Sequence, residues 1–256
     1  MAEFSGRVAL VTGASSGIGR ATAEKLSAEG AAVALVARRE KELSEVAARI
    51  AARGGRAEVV AADLSLEAEC DLAVRETVAR FGGLDVLVNA AGIIGGGSIE
   101  TTSPVDFDHM MNVNLRSLFL LTRAATPHLV AGKGAVVNVS SVTGTRAFPG
   151  LLAYCVSKAA VDQFTRCVAL ELAPKGVRVN AVNPGVVVTN LHRAGGMDEA
   201  AYAKFLERCR ETHPLGRAGQ PEEVADLILF LASPRAAWIT GGCFPVDGGR
   251  AETCAR

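Results

Sequence analysis

The chain has 256 residues, of which 49% are hydrophobic and 21% charged. That length suits one compact α/β domain, and that composition excludes an intrinsically disordered chain. The 27 lysines and arginines balance 27 aspartates and glutamates, so no excess positive charge is available for nucleic acid or an anionic membrane. We therefore predict neither a nucleic-acid partner nor a membrane partner.

The predicted strands, in chain order, alternate with helices. Seven apolar runs are typical of strands: Val8–Val11, Ala32–Val36, Ala57–Ala61, Leu84–Val88, Ala135–Val139, Val177–Val182 and Cys243–Val246. Most are predominantly apolar rather than alternating, as expected for strands covered by helices on both faces. Helical patterns occupy the intervals, at Lys41–Arg53, from Leu66 to Gly82, at Val156–Leu172, around Asp198–Glu211 and from Pro221.

This alternation predicts the α/β class, with a Rossmann-type, doubly wound, seven-stranded parallel sheet and helices on both faces. No linker or repeat divides residues 1–256, so we predict a single domain. Pro245 lacks a backbone donor, which indicates that the last strand lies at a sheet edge. The irregular segment at about residues 190–220 is typical of a substrate lid, the alternative being an ordinary surface connection.

The cysteines and the start of the chain bear on its compartment. The six cysteines (Cys70, Cys155, Cys167, Cys209, Cys243 and Cys254) include no Cys-x-x-Cys pair, and no histidine stands at ligand spacing from them. We predict free thiols, no metal site and a reducing compartment. The first residues show no basic stretch followed by an apolar segment, so we expect no signal peptide and a cytoplasmic protein.

The first predicted strand runs into a glycine-rich turn, Thr12-Gly-Ala-Ser-Ser-Gly-Ile-Gly19, from which a helix starts. Glycines let the backbone approach a pyrophosphate, and the N–H groups of the new helix stabilise its charge. Any tight strand-to-helix turn uses glycine, but this one opens the first βαβ unit, which favours dinucleotide binding. The predicted contacts are Gly13, Ser15, Ser16, Gly17, Ile18 and Gly19.

The second predicted strand ends at Arg38-Arg39. An acidic residue near this point usually binds the ribose hydroxyls of NAD(H), whereas two guanidinium groups suit a doubly charged 2′-phosphate. We predict that NADP(H) is preferred and that NAD(H) is possible. The alternative is a solvated helix start that carries two surface arginines.

Tyr154 and Lys158 stand four residues apart at the start of a predicted helix, so both side chains lie on one face. A nearby ammonium lowers the pKa of a phenol from its ordinary value of about 10, which makes tyrosine usable in proton transfer. Ser141 follows a predicted strand and is expected at the same edge of the sheet. A Tyr-x-x-x-Lys pair alone is common and usually means a solvated helix pair.

Together these motifs resemble the short-chain dehydrogenase/reductase family, in the branch that includes 3-oxoacyl-(acyl-carrier-protein) reductases and carbonyl reductases. The resemblance spans about Gly6 to Gly249. The motifs follow the family's order: Thr12–Gly19, Asp63, Asn89-Ala-Ala-Gly92, Asn114, Ser141, Tyr154, Lys158, Asn183-Pro-Gly185, Thr189, Pro214-Leu-Gly-Arg-Ala-Gly-Gln-Pro-Glu-Glu223 and Val246-Asp-Gly-Gly249.

The resemblance implies catalytic roles for four residues. Tyr154 would donate a proton to a ketone oxygen, Ser141 would orient that oxygen, and Lys158 would hold the nicotinamide ribose and lower the Tyr154 pKa. Asn114 would support a water that replenishes the proton. The other implied cofactor contacts are Asp63 and Leu64 at the adenine, Asn89, Ala90 and Gly92 along the cleft, and Pro184, Gly185, Val187 and Thr189 at the carboxamide.

Two positions depart from the family pattern. Ala90 replaces a usual second asparagine, and Ser16 stands where acyl-carrier-protein reductases often have arginine. The second departure shifts the 2′-phosphate contact onto Arg38 and Arg39, and it weakens the assignment to that subgroup.

The expected substrate walls are apolar, which favours a small apolar or uncharged ketone or secondary alcohol. They comprise Ile93, Ile94, Val142, Val186, Val187, Leu191 and Met197, and no arginine or lysine is an evident carboxylate clamp. His192 is a possible substrate contact, while the other three histidines (His109, His128 and His213) and Cys155 are expected to be surface or packing residues.

The sequence leaves alternative activities open, and the family resemblance also bears on the oligomeric state. Besides the NADP(H)-dependent carbonyl reductase, we consider an NAD(H)-dependent alcohol or hydroxysteroid-type dehydrogenase and a non-catalytic dinucleotide sensor. The family's enoyl reductases space their tyrosine and lysine more widely, and its sugar epimerases are longer. The resemblance also implies a homotetramer or homodimer that pairs through helices at about Val105–Val130 and Val156–Leu172 and through the last strand.

Overall fold

The computed structural model describes residues 2–254 and contains one seven-stranded sheet in which every neighbouring pair is parallel. The strand order is β3-β2-β1-β4-β5-β6-β7. The strands are β1 Val8–Thr12, β2 Ala32–Ala37, β3 Arg56–Ala61, β4 Val86–Asn89, β5 Ala135–Val139, β6 Arg178–Pro184 and β7 Cys243–Val246. The predicted fold class is confirmed, and β7, which contains Pro245, is an edge strand as expected.

Nine α-helices are present among residues 2–254. They are α1 Gly17–Ala28, α2 Glu40–Ala52, α3 Glu67–Phe81, α4 Pro104–Met111, α5 Ser117–Gly132, α6 Leu152–Leu172, α7 Leu191–Ala194, α8 Glu199–Thr212 and α9 Pro221–Ala232. None of these described helices is long and apolar enough to cross a membrane.

The five inner strands of the sheet are buried on both faces, which explains their largely apolar residues, while the outer strands β3 and β7 are partly exposed. In β1, Ala9 and Val11 pack into a core that includes residues of α1, α2 and α9, while Leu10 packs on the opposite side with residues of α3 and α5. Successive strand side chains point to opposite faces, so a strand with two covered faces has no polar alternation.

The expected helix at Val105–Val130 is interrupted. A five-residue π-helical turn, Asn112–Arg116, joins α4 to α5 without a break in the chain's helical course. Such turns insert one extra residue into a helix and often lie at functional sites. Here the π turn contains Asn114, so the irregularity coincides with a predicted site residue.

Candidate active site

A cavity of about 580 Å³ runs along the carboxyl end of the sheet. It is lined by nearly all of the predicted site residues: Gly13, Ser15, Ser16, Gly17, Ile18, Gly19, Arg38, Arg39, Asp63, Leu64, Ala90, Gly92, Ser141, Tyr154, Lys158, Pro184, Gly185, Val187 and Thr189. Two predicted residues, Asn89 and Asn114, are not among the lining residues. The volume is within the range of ligand sites.

The glycine-rich turn is packed as a nucleotide cradle requires. A Cβ on Gly19 would lie 2.5 Å from the Gly13 carbonyl oxygen, and a Cβ on Gly13 would lie 2.8 Å from the Ala90 carbonyl oxygen. Ser16 makes no side-chain cap bond to α1, and the first turn of α1 carries no acid. Its N–H groups therefore remain available to an anion, and these residues fit the pyrophosphate of a dinucleotide.

Thr12 fixes the turn to the neighbouring strand. Its Oγ1 accepts hydrogen bonds from the backbone N–H groups of Ala90 (2.9 Å) and Ala91 (3.0 Å). This hydroxyl therefore sets the spacing between the glycine-rich turn and the Ala90–Gly92 segment, which together form two walls of the cavity.

The two arginines lie at the end of the cavity next to the turn. Arg39 donates from Nη2 to the hydroxyls of Ser15 (3.1 Å) and Ser16 (3.3 Å), and its Nη1 lies 3.2 Å from a Glu42 oxygen. Asp63, on the same side, has a pKa below its ordinary value because the Ser65 backbone N–H donates to it and Arg38 adds positive potential. Arg39 thus reaches Ser16, the position at which acyl-carrier-protein reductases often have arginine.

Tyr154 and Lys158 lie on the first turns of α6 and are both buried. The Lys158 Nζ is 5.8 Å from the centre of the Tyr154 ring and donates to the Val139 carbonyl at 2.8 Å. A Cβ on Gly92 would lie 3.6 Å from Nζ and 3.3 Å from Asn114 Oδ1, so the three residues surround one point in the cleft.

The expectation of a lowered Tyr154 pKa is wrong for this structure. Burial raises the pKa of Tyr154 to about 12, and a hydrogen bond with the Ser141 side chain opposes that rise only in part. Burial also lowers the pKa of Lys158 to about 8, against the attraction of Asp162. The phenol is therefore protonated at neutral pH, which is the form a proton donor needs.

Asn114 acts on the cleft through its neighbours. Its Oδ1 accepts from the Ile93 N–H (2.8 Å), and its Nδ2 donates to the Ile93 carbonyl (3.0 Å) and the Ser157 hydroxyl (3.0 Å). Ser157 in turn donates to the Tyr154 carbonyl at 2.8 Å. Asn114 therefore ties the Ile93 wall to α6, and Ser157 is a link that the sequence did not reveal.

The expectation that Asn89 lines the cleft is wrong. Its amide points into the protein, where Nδ2 donates to Asn138 Oδ1 (2.9 Å) and Thr122 Oγ1 (3.3 Å). Asn89 ends β4, and the alternation of strand side chains turns it toward α5 while the following residues form the wall. Its side chain joins buried elements behind the cavity.

The motif Pro214–Glu223 fixes the segment from Pro184 to Thr189. Val186 and Val188 exchange backbone hydrogen bonds with Gly219 at 2.9 Å, and the helix after it begins at Pro221. The Arg217 guanidinium, followed by the Gln220 N–H, lowers the pKa of Glu223 to about 2. The Arg217–Glu223 ion pair and the helix cap thus hold Gly219 in place beside Val186 and Val188, which belong to the cavity-lining segment.

His213 is buried and supports the same segment. Its Nε2 accepts from the Val186 N–H at 3.1 Å, and a Cβ on Gly185 would lie 3.0 Å from that nitrogen. Burial and the Arg250 charge lower the His213 pKa, which favours the neutral ring that can accept this bond. Of the two readings for His213, packing is confirmed and a surface position is wrong.

The substrate end of the cavity is mostly apolar. Six of the seven expected wall residues line the cavity: Ile93, Ile94, Val142, Val186, Val187 and Leu191. The seventh, Met197, does not. Residues missed in the sequence also line the cavity: Phe148, Leu151, Ala194, Phe205 and Arg250, together with Val113 and with His109, which adds positive potential at Asp63. These come from distant segments, and only the fold brings them together.

His192 also lines the cavity and packs on Phe205, with ring centres 4.6 Å apart. Its pKa is lowered by burial. Arg250 stacks over the Phe148 ring at 5.1 Å and donates to the Thr212 carbonyl. The substrate end thus contains a cation that the sequence did not predict. Among residues 2–254, no group of three or more histidines, cysteines and acids is placed to hold a metal ion.

Comparisons with known proteins agree with this geometry. Residues 13–251 match the family model described as enoyl-(acyl carrier protein) reductase. A meso-2,3-butanediol dehydrogenase from Serratia marcescens is 39% identical over 247 residues, covering 96% of this chain and 95% of that protein. A 3-oxoacyl-(acyl-carrier-protein) reductase from Synechocystis sp. is 40% identical over 252 residues, covering 97% and 98% respectively.

A solved structure shows the same fold over nearly the whole chain. It is a short-chain dehydrogenase/reductase of unknown function from Caenorhabditis elegans, with cofactor, and it superposes with a TM-score of 0.93 at 38% identity. The match covers 98% of this chain and 97% of that one.

Proposed function

The chain belongs to the short-chain dehydrogenase/reductase family and is an oxidoreductase, and we propose that it interconverts a ketone and a secondary alcohol with NADP(H) as preferred cofactor. One observation carries the proposal: a single cavity connects the glycine-rich turn and two arginines to Tyr154, Ser141 and Lys158. Nucleotide binding and proton transfer therefore share one continuous space.

When bound, NADP(H) supplies or accepts the hydride, and the chain orients the substrate and handles the proton. The Tyr154 hydroxyl donates a proton to the carbonyl oxygen in reduction and recovers it in oxidation. Ser141, whose side chain already hydrogen-bonds Tyr154, orients that oxygen. Lys158 places positive charge beside the phenol and would hold the ribose of a bound nucleotide, and burial of the site excludes water.

Support for NADP(H) comes from the arginine end of the cavity. Arg38 and Arg39 line it, and Arg39 is held over the hydroxyls of Ser15 and Ser16. Guanidinium groups match a phosphate oxyanion in charge and geometry. The only acid among the described lining residues is Asp63, whose backbone-bonded carboxylate follows β3 rather than β2.

The proposed substrate is a small carbonyl compound or secondary alcohol whose body is apolar or uncharged. Ile93, Ile94, Val142 and Leu191 supply apolar walls next to Tyr154. His192 and Arg250 add polar groups at the edge of this space. We propose that they meet a hydrogen-bonding substituent of the substrate, since both line the cavity and both carry hydrogen-bonding groups.

The second candidate is reduction of a carbon–carbon double bond, which the description of the matching family model names. The four-residue spacing of Tyr154 and Lys158, together with Ser141 within hydrogen-bonding reach of the phenol, favours carbonyl chemistry. A dinucleotide sensor would not need this proton-transfer arrangement.

Further proposals concern the lid, the assembly and the compartment. We propose that residues 190–220 form a substrate lid, because Leu191, His192 and Phe205 line the cavity. We also propose a homodimer or homotetramer through α5 and α6, where half-exposed Phe119 and Phe164 stack edge to face at 6.5 Å. Six free cysteines among the described residues accord with a cytoplasmic location.

A panel of ketones, alcohols and enones, assayed at the nicotinamide absorbance with each cofactor, tests the function. We expect turnover of ketones with NADPH at higher kcat/KM than with NADH. Turnover restricted to enones would favour the second candidate, and equal or better efficiency with NADH would contradict the cofactor proposal. Binding of cofactor with no turnover across the panel would favour the sensor.

A further inference from the structure

Asp162 is a buried carboxylate that the proposed mechanism leaves unused. It lies on α6 one helical turn beyond Lys158 and is only 2% exposed. Burial raises its pKa, while the nearby Ser140 hydroxyl and the Asn183 amide oppose that rise. An isolated buried carboxylate is costly, so its retention needs partners or a role.

Its partners belong to the catalytic framework. Asn183 Nδ2 donates to both carboxylate oxygens of Asp162, at 2.9 and 3.1 Å, and to the Ser141 carbonyl at 3.0 Å. The Ser140 hydroxyl donates to the Lys158 carbonyl at 3.1 Å and lies within reach of the Asp162 carboxylate. Asp162 therefore joins α6 to the ends of β5 and β6, where Ser141 and Pro184 begin their loops.

The fit around this carboxylate is tight. A Cβ on Gly144, in the turn that follows Ser141, would lie 2.5 Å from Asp162 Oδ2. The amide of Asn183 also has one defined orientation, because turning it over would direct its oxygen at the carboxylate and at the Ser141 carbonyl. A charged Asp162 thus selects the orientation that holds the Ser141 backbone.

We propose that Asp162 is a positioning residue for this proposed active site: its carboxylate orients the Asn183 amide that holds Ser141, and its negative charge keeps Lys158 in the ammonium form. The second part follows from the placement of the two groups: Asp162 stands four residues after Lys158 on α6, so both buried side chains lie on one face of the helix, where burial alone would favour the neutral amine. The proposal rests on the proposed function only for its kinetic consequences.

Among the described residues, few other ionisable groups lie near Asp162 and Lys158. Tyr154 and Arg166 lie on α6 itself, and Arg166 adds positive potential at Asp162. The Cys243 thiol of β7 has a raised pKa, chiefly from burial and then from the Asp162 charge. His109 of α4 lines the same cavity. The facing residues of β5, β6 and the turn Val142–Gly144 are uncharged.

The direct test is the titration of Lys158 in the cofactor-free protein. The chain has six lysines, so ¹³C-dimethylated lysines give few NMR signals, and the one missing in Lys158→Arg identifies Lys158. We expect Asp162→Asn to lower the Lys158 midpoint by about one pH unit. Asn180→Ala is the matched control, since it removes a buried β6 amide that bonds Ile239 and Gly242 away from the cleft.

Kinetics provide the second readout. With the best ketone of the panel, we expect Asp162→Asn to shift the alkaline limb of the kcat/KM–pH profile to lower pH by about one unit, the same shift as that of the Lys158 midpoint. Asn180→Ala should lower thermal stability and leave the alkaline limb at its wild-type pH. Asn183→Ser keeps the charge and removes the amide, so it should lower kcat about tenfold with no shift of the limb.

Three results would overturn the proposal. An unchanged Lys158 midpoint in Asp162→Asn removes the electrostatic role, and an unchanged kcat in Asn183→Ser removes the orienting role. Equal shifts in Asp162→Asn and Asn180→Ala reduce Asp162 to a packing residue. If Asp162→Asn does not fold, Asp162→Ser takes its place. Because the NMR titration needs neither cofactor nor substrate, failure of the proposed function would appear separately, as absence of turnover in the wild type.

Discussion

Replacing Lys158 by methionine is expected to stabilise the fold while it removes activity. Burial lowers the pKa of Lys158 from 10.5 to about 8. Below about pH 8 both the folded and the unfolded chain carry this proton, and the folded state bears the full cost of a buried ammonium. At 1.36 kcal/mol per pKa unit that cost is about 3 kcal/mol.

The variant also loses a hydrogen bond. Nζ of Lys158 donates to the Val139 carbonyl at 2.8 Å, and the loss of this hydrogen bond lowers the free energy of unfolding of the variant by about 1 kcal/mol. We therefore expect Lys158→Met to raise the free energy of unfolding by about 2 kcal/mol at about pH 7. Methionine fills much of the same volume, so no large cavity forms.

The sign of the pH dependence follows from proton binding. Between about pH 8 and 10.5 the unfolded chain keeps a proton that folded Lys158 has released, so wild-type stability rises with pH relative to the variant. The advantage of Lys158→Met should shrink over that interval and vanish near its upper end. Groups present in both proteins, such as Tyr154, largely cancel in the difference.

Urea denaturation at one protein concentration, repeated from about pH 7 to about pH 10, measures this difference. Lys175→Met, at an exposed lysine, is the control, and its effect should stay within about 0.5 kcal/mol at every pH. A Lys158→Met variant that is less stable than the wild type near pH 7, or whose gain in stability does not vary with pH, would show that Lys158 is not a buried, destabilising ammonium.

Two further substitutions test the nucleotide end of the cavity. Arg39→Ala should lower kcat/KM with NADPH by roughly 10- to 100-fold and leave that with NADH nearly unchanged, because it removes a charge-assisted contact worth about 1.5–3 kcal/mol. Steady-state kinetics with Arg53→Ala as control decide this, and equal losses with both cofactors would exclude a 2′-phosphate contact. Gly19→Ala should weaken NADPH binding at least tenfold in a fluorescence titration, because its Cβ would lie 2.5 Å from the Gly13 carbonyl oxygen. Gly83→Ala, where nothing lies within 4 Å, is the control, and wild-type affinity in Gly19→Ala would contradict the proposed cradle.

The strands could be predicted from the sequence because a run of apolar residues is a property of the segment itself and needs no distant contact. Largely apolar runs marked all seven strands, and Ala135–Val139 and Cys243–Val246 have the predicted bounds. The π turn at Asn112–Arg116 escaped prediction, since nothing in the residue pattern distinguishes one inserted residue from a regular helix. The edge position of Pro245 followed from a missing N–H group, which is a property of that residue alone.

Properties set by burial and by distant contacts could not be predicted. The spacing of Tyr154 and Lys158 indicated proximity, but the pKa of Tyr154 is governed by burial, which only the fold determines. Asn89 matched a motif, yet the alternation at the end of β4 turns it away from the cavity. Arg250 and Phe148 meet across about a hundred positions of the chain, so no local signal announced them.

The proposed function requires the Tyr154 hydroxyl to be the proton donor in carbonyl reduction. Tyr154→Phe removes that hydroxyl alone, so NADPH affinity in a fluorescence titration should stay within about twofold of the wild type. The rate of NADPH oxidation with the best ketone of the panel should fall by about 10²- to 10⁴-fold. A Tyr154→Phe protein that binds NADPH and turns over near the wild-type rate would contradict this role of Tyr154.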